Sequence, residues 1–208
     1  MPSDSIASEK LVREELCIKF VNTVAWRLRD PVEDRAASPE AMLKWLADAD
    51  VADRPTMLQI KTRWKRSPGT ARSFITDAVQ LREAIYALFL ARIAGRKASA
   101  GASEILNAHL AGPASGLGLV PSQKTLKWRI RSGDIDPEAL LKPVAWSAAG
   151  LLMGPRAQKL RQCQDERGCG WLFIDESRAQ NRRWCSMGDC GNLAKSRRHY
   201  RRVAHTSP

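Results

Sequence analysis

The sequence lacks most of what enzyme chemistry at a metal or a cofactor would need. It has three histidines, His109, His199 and His205, and no H-E-x-x-H pair. No two of its five cysteines stand in the C-x-x-C spacing of a redox dithiol. Gly112, Gly116 and Gly118 form neither a G-x-G-x-x-G turn nor a P-loop, so no nucleotide site is expected. No run of eighteen apolar residues occurs, which excludes a membrane-spanning helix and leaves no membrane partner in the expectation. Met1 to Glu15 is polar and charged, without the apolar segment of a secretory leader, so a cytoplasmic chain with reduced thiols is expected. Aromatic residues make up 6%, and few sit where they look exposed, which disfavours single-strand recognition by base stacking.

What is present in excess is positive charge. Lys and Arg number 34 against 22 Asp and Glu, a formal +12, and the isoelectric point is near 10.0. From Arg156 to the end there are 12 basic and 5 acidic residues, so about a quarter of the chain carries +7 and the remainder +5. A concentration of this kind points to a polyanion, either nucleic acid or an acidic membrane surface.

Four of the five cysteines lie in the same basic stretch, as Cys163-x5-Cys169, fifteen further residues, and Cys185-x4-Cys190. Gly170 and Gly191 follow the second cysteine of each pair, where a chain doubling back towards one metal often needs a positive φ. Two such pairs can close a tetrahedral set of four thiolates of the structural-zinc kind, although pairs wider than C-x2-C leave disulfides or unpaired thiols open. Cys17 stands alone in an apolar stretch and reads as a small buried hydrophobe.

Along the chain, Leu11, Leu16, Phe20, Val24 and Leu28 are spaced for a helix against a core, with the polar Asn22 and Thr23 set inside that apolar run. These two are either a buried hydrogen-bonding pair or contacts to a ligand. Ser38, Pro39 and Glu40 start a helix whose inner face is Met42, Leu43 and Leu46. Arg54 to Arg66 reads as a solvated basic face ending at the turn Ser67-Pro-Gly, or as a second anion-binding surface through Lys61, Arg63, Lys65 and Arg66. Thr70 to Ala94 carries the longest helical pattern, with Phe74, Ala78, Leu81, Ile85, Leu88 and Phe89 on one side. A helix over Ala98 to Ala111 is followed by a loop at 112–116. A strand pair over Leu117 to Val120 and Thr125 to Arg131 precedes a last helix from Asp136 to Gly154. The domain boundary is placed there, giving 1–154 and 155–208. Gln158 to Gln162 is expected to lead helically into the first ligand, and Trp171 to Ile174 to form a strand.

Beyond Cys190, Leu193, Ser196, Tyr200 and Val203 share one arc of a helical wheel, while Lys195, Arg197, Arg198, Arg201 and Arg202 cover the rest. No acidic side chain follows Asp189, and Arg178, Arg182 and Arg183 add charge just before the third cysteine. These eight cations suit phosphate contacts, and an arginine entering a major groove can read guanine edges. A basic tail with no partner is the plainer alternative.

The run Cys169-Gly-Trp-Leu-Phe-Ile-Asp-Glu-Ser-Arg, with Arg182-Arg-Trp-Cys-Ser-Met and Cys190-Gly-Asn, resembles the CGNR zinc finger, and Phe20-Val-Asn-Thr-Val resembles the ABATE domain that accompanies it. The resemblance implies that Cys163, Cys169, Cys185 and Cys190 bind Zn2+, that the finger binds DNA, and that the protein regulates transcription under stress. Leu193 stands where the name-giving arginine of the family is expected. The reading is a mainly α protein (α+β with a small β-hairpin): a helical N-terminal domain and a small four-cysteine finger ending in a basic helix. It is expected to be a non-enzymatic regulator whose partner is DNA. A small-molecule effector sensed by the N-terminal domain, an RNA or acidic protein partner, and a homodimer stay open.

Overall fold

The computed structural model describes residues 16–111, 117–122, 125–130 and 136–197, the two strands over 117–130 by their backbone. Elements run α1 (Leu16–Val21), β1 (Val24–Ala25), β2 (Glu33–Asp34), α2 (Pro39–Asp48), α3 (Arg54–Arg66), α4 (Pro68–Ile93), α5 (Ala100–Leu110), β3 (Leu117–Ser122), β4 (Thr125–Ile130), a 3-10 turn (Pro137–Leu141) and α6 (Lys142–Met153). A second 3-10 turn (Pro155–Lys159), β5 (Leu160–Gln162), β6 (Leu172–Ile174), a π-turn (Met187–Gly191) and a helical segment over 192–197, here α7, are the remaining elements of the described residues. The fold is mainly α with small two-stranded antiparallel sheets. Among the described residues no helix is long and apolar enough to cross a membrane.

The spine is α4, whose Phe74, Ala78, Leu81, Ile85, Leu88 and Phe89 are all buried, as their spacing predicts. Each of the larger side chains contributes roughly 1.5–3 kcal/mol by leaving water. Trp64 of α3 packs on Phe74 at 5.3 Å, which puts the aromatic of the basic stretch inside and leaves Lys61, Arg63, Lys65 and Arg66 on an exposed face. Ser67-Pro-Gly is tighter than the expected turn, because Pro68 already occupies the first turn of α4. Ser38 caps α2 by accepting from the Ala41 amide.

The first helix ends earlier than its apolar spacing predicts. After Val21, Thr23 Oγ1 donates back to the Phe20 carbonyl at 2.8 Å, and the chain enters β1. Val24 is buried in that strand, whereas Leu28 is 58% exposed and belongs to no helix. That hydroxyl bond is compatible with a helix; the partners that draw Asn22 and Thr23 off it are Leu172 and Arg82, which periodicity does not register.

The segment after Gly154 does not stand apart from the helical core. Leu160, Leu172 and Ile174 join the same apolar cluster as Phe20, Leu81 and Ile85. The expected helical lead at Gln158 to Gln162 is instead the end of a 3-10 turn followed by β5, which pairs with β6 through Leu160↔Ile174 and Gln162↔Leu172. In β5, Leu160 is buried against the core while Arg161 and Gln162 are half-buried.

Candidate metal centre and its basic surround

The β5–β6 hairpin places Cys163 directly after β5 and Cys169 just before β6, and the Cys163 amide donates to the Trp171 carbonyl at 2.7 Å. Between the two cysteines the chain turns on Asp165, whose carboxylate accepts from the Arg167 amide, and on Gly168, whose amide donates to the Asp165 carbonyl. Gly168 and Gly170 have φ of +89° and +67°, so the left-handed turn expected of Gly170 is found there and at one glycine that the spacing does not single out. Gly191 differs: its φ is not positive, and it is small because a Cβ would lie 3.0 Å from Met187 Sδ.

The second pair is brought in by a different device. Asp175, fully buried, accepts from the Ser177 amide and hydroxyl and from the Arg182 amide, which folds the 175–182 loop back on itself. The Gln164 amide donates to the Arg183 carbonyl at 2.8 Å, tying the first cysteine loop to the third cysteine. Ser186 then caps the π-turn that delivers Cys190 to the foot of α7.

The result is one cluster in which the four Sγ atoms of Cys163, Cys169, Cys185 and Cys190 lie within 4.8 Å of one another. The Cys169–Cys185 and Cys185–Cys190 sulfur pairs are 3.8 Å apart. A disulfide needs about 2.05 Å, so these are free thiols and not bridges. The edge of a sulfur tetrahedron around a cation bonded at about 2.3 Å, the usual zinc–thiolate length, is about 3.8 Å. The sulfurs are thus already at metal-ligand spacing.

Electrostatics point the same way. Hydrogen bonds from the Cys169 and Cys185 thiols drive Cys163 down to about 2, while Cys185 is pushed up by its bonds to Cys163 and Cys169. Cys169 is held up by Cys163, and Cys190 chiefly by burial. The four thiols are coupled, and thiolates this close together repel one another, so a positive ion among them would favour their ionised form. Arg167 supplies part of that field from outside. Its guanidinium grips Asp165, whose carboxyl it holds at about 2, and Nη2 donates to Cys190 Sγ at 3.8 Å. Trp26, Trp171 and Trp184 pack around the cysteines and keep water from the sulfurs.

The predicted nucleic-acid cations divide. Arg178, Arg183, Lys195 and Arg197 are exposed, with Arg183 Nε donating to Gln164 Oε1. Arg182 is half-buried, lies 4.9 Å over Phe173, and donates to the carbonyls of Trp184 and Cys185. Arg198, Arg201 and Arg202 lie outside the described residues, as do Tyr200 and Val203 of the predicted apolar arc. Leu193, at the position of the expected family arginine, is 44% exposed.

Asn22 and Thr23, the candidate ligand contacts, both have intramolecular partners. Asn22 Nδ2 donates to the Leu172 carbonyl at 2.8 Å, and the Leu172 amide donates to Asn22 Oδ1 at 2.9 Å, so the side chain pairs with β6 as a neighbouring strand would. Thr23 Oγ1 accepts from Arg82 Nη1, and Arg82, 2% exposed, also forks onto Asp34. These bonds account for the polar side chains inside the apolar run.

Further contacts that the sequence does not announce fix the cysteine module to the helices. Arg27 and Leu28 amides donate to the carbonyls of Cys169 and Gly168 at 3.1 and 3.0 Å. Trp171 Nε1 donates to the Val24 carbonyl at 2.9 Å. Tyr86 Oη donates to the Gly170 carbonyl at 3.0 Å and accepts from Gln162 Nε2 at 2.8 Å. The positive φ at Gly168 and Gly170 was the available signal, since a Cβ at either would come within about 3 Å of Leu28 or Arg27.

Two family models match the chain. Residues 14–155 match the ABATE family, described as "Putative stress-induced transcription regulator", and residues 159–203 match the CGNR zinc finger. No curated protein matches the chain.

Proposed function

Because the chain belongs to the ABATE family and carries a CGNR zinc finger, we propose that it is a DNA-binding transcription regulator in which zinc is structural. The observation that carries this reading is the sulfur tetrahedron at the foot of a helix whose exposed side chains include Lys195 and Arg197. Zinc bound there would add to the core contacts of Leu160, Leu172 and Ile174 on the order of 10–16 kcal/mol of apparent binding energy, the range of structural zinc sites. Cys163, Cys169, Cys185 and Cys190 complete a tetrahedral shell, leaving no coordination site for a reacting water, and the protein is read as non-enzymatic.

The residues then act in sequence of position. Asp175 and Ser186 fix the loops that carry the second cysteine pair; Arg167 offsets sulfur charge; the centre sets the direction of α7. Arg178, Arg183, Lys195 and Arg197 meet the phosphate backbone. Leu193, one turn before Arg197, replaces a cation with an apolar side chain and weakens the electrostatic share at that point of the helix. Titration of labelled duplex DNA at increasing salt tests the reading. A steep linear fall of log K with log salt is expected, and a binding constant nearly independent of salt refutes it. Running single strands and structured RNA alongside separates DNA from RNA.

A second reading, a small-molecule sensor in the helical domain, has one observation in its favour. A cavity of about 280 Å3 is lined by Leu88, Arg92, Arg96, Ser103, Leu106 and Asn107. It lies at the small end of the ligand-site range, and neither Asn22 nor Thr23 lines it.

A further inference from the structure

The loop between β1 and β2, which belongs to the helical domain in sequence, lies on the cysteine module in space. Trp26 takes a left-handed backbone, φ +57°, a conformation that a bulky side chain adopts only when its surroundings hold it there. From it the chain crosses the first cysteine loop: Leu28 N bonds Gly168 O, the Leu28 side chain covers Gly170, and Arg29 Cβ sits about 3 Å from the place a Gly168 Cβ would take. The Arg29 guanidinium stacks on Trp26 at 4.5 Å, and the same ring carries Arg167 at 5.1 Å. Trp26 in turn packs on the cysteines.

The cations around this loop are not equivalent. Arg167 is committed to Asp165 and Cys190, Arg35 to Glu33 at 2.8 Å, and Arg27, nearly buried, to Glu83 at 2.7 Å. Arg29 is exposed and makes no ion pair among the described residues. Its stem and ring contact hold it in place, so little rotamer freedom remains to be lost on meeting an anion. A path of direct contacts leads from it to the finger's own cations. Arg29 shares Trp26 with Arg167, Arg167 grips Asp165, and Asp165 lines a cleft with Arg183, Trp184 and Arg197.

We propose that the DNA-binding surface is composite, with the β1–β2 loop of the helical domain supplying Arg29 as a phosphate contact beside the finger. The proposal rests on the DNA-binding reading above and adds to it a residue outside the finger. The geometry makes the helical domain a direct part of the interface, so that displacing the loop from Gly168 and Gly170 removes a contact from the DNA surface. Leu28, 58% exposed next to Arg29, gives the loop an apolar edge against the sugar backbone.

The test uses the full zinc-loaded chain and a fluorescein-labelled duplex of mixed sequence, with anisotropy read across a salt series. Arg29→Ala should lower the salt slope by about one, so that a fourfold rise in salt weakens the variant about 3.5-fold less than the parent. Arg29→Lys, which keeps the charge and gives up the planar stack, should retain the parental slope; Arg72→Gln, on the exposed side of α4, should leave duplex binding unchanged. Metal content and thermal midpoint of each variant establish that the fold is intact. Binding and slope unchanged in Arg29→Ala, while Arg197→Ala loses affinity, overturns the composite surface and leaves the finger reading standing. Absence of duplex binding by the parent overturns both.

Discussion

Replacing Asn22 by alanine removes a helical-domain side chain that pairs with β6. Two hydrogen bonds go, 2.8 Å to the Leu172 carbonyl and 2.9 Å from the Leu172 amide, and Leu172 itself is 1% exposed. An ordinary hydrogen bond contributes about 0.5–1.5 kcal/mol net, but a buried backbone group left without a partner costs about 1–3 kcal/mol. Alanine leaves two such groups with a side-chain-sized space beside them, into which water can enter, so the expected loss is about 2–4 kcal/mol. In a chain of this length each kcal/mol moves the thermal midpoint by about 2–4 °C, which gives a fall of about 4–16 °C. Calorimetry on the metal-loaded protein measures it, and hydrogen exchange at the Leu172 amide should accelerate in parallel. A midpoint within about 1 °C of the parent, with Leu172 protection intact, would show that Asn22 does not hold the two parts of the chain together.

Cys185→Ser should reduce bound metal from one per chain to near zero in metal analysis, because one hydroxyl cannot complete a thiolate tetrahedron; stoichiometric retention would remove Cys185 from the ligand set. Gly168→Ala should shift the urea midpoint by the equivalent of about 2–4 kcal/mol, since φ +89° is strained for a side chain and the added Cβ meets the Leu28 carbonyl at 3.0 Å; an unchanged midpoint would mean that the loop contact is easily relaxed. Burial raises the Asp34 carboxyl, yet hydrogen bonds from Arg82 and the Ala36 amide leave it below its usual 3.8. A carboxylate depressed in the fold stabilises fully above its unfolded value, and that share is lost as pH falls from about 4 through the folded value. Asp34→Asn should therefore flatten the unfolding free energy between about pH 5 and pH 3, and an acid limb as steep as the parent's would assign the pH dependence to other carboxylates.

The sequence by itself determined the helical framework and the four cysteines that come together. Phe74 to Phe89 repeats at helical spacing, Ser38-Pro-Glu carries its own start signal, and four cysteines in two pairs allow few arrangements. In each case the information lies within one turn or one loop, where local geometry and the apolar period act without reference to distant residues. Tertiary structure alone decided the rest. Arg182 and Arg183 are chemically alike and adjacent, yet one props the cysteine loop and the other faces solvent, because only packing against Phe173 separates them. The helix expected through Leu28 stops at Val21, since Asn22 and Thr23 find partners at Leu172 and Arg82, 150 and 59 residues away. Trp26 and Arg29 reached the metal centre for the same reason: a left-handed turn and two glycines on opposite sides of the sequence distance bring them there, and no local pattern encodes a contact whose other half lies about 140 residues later.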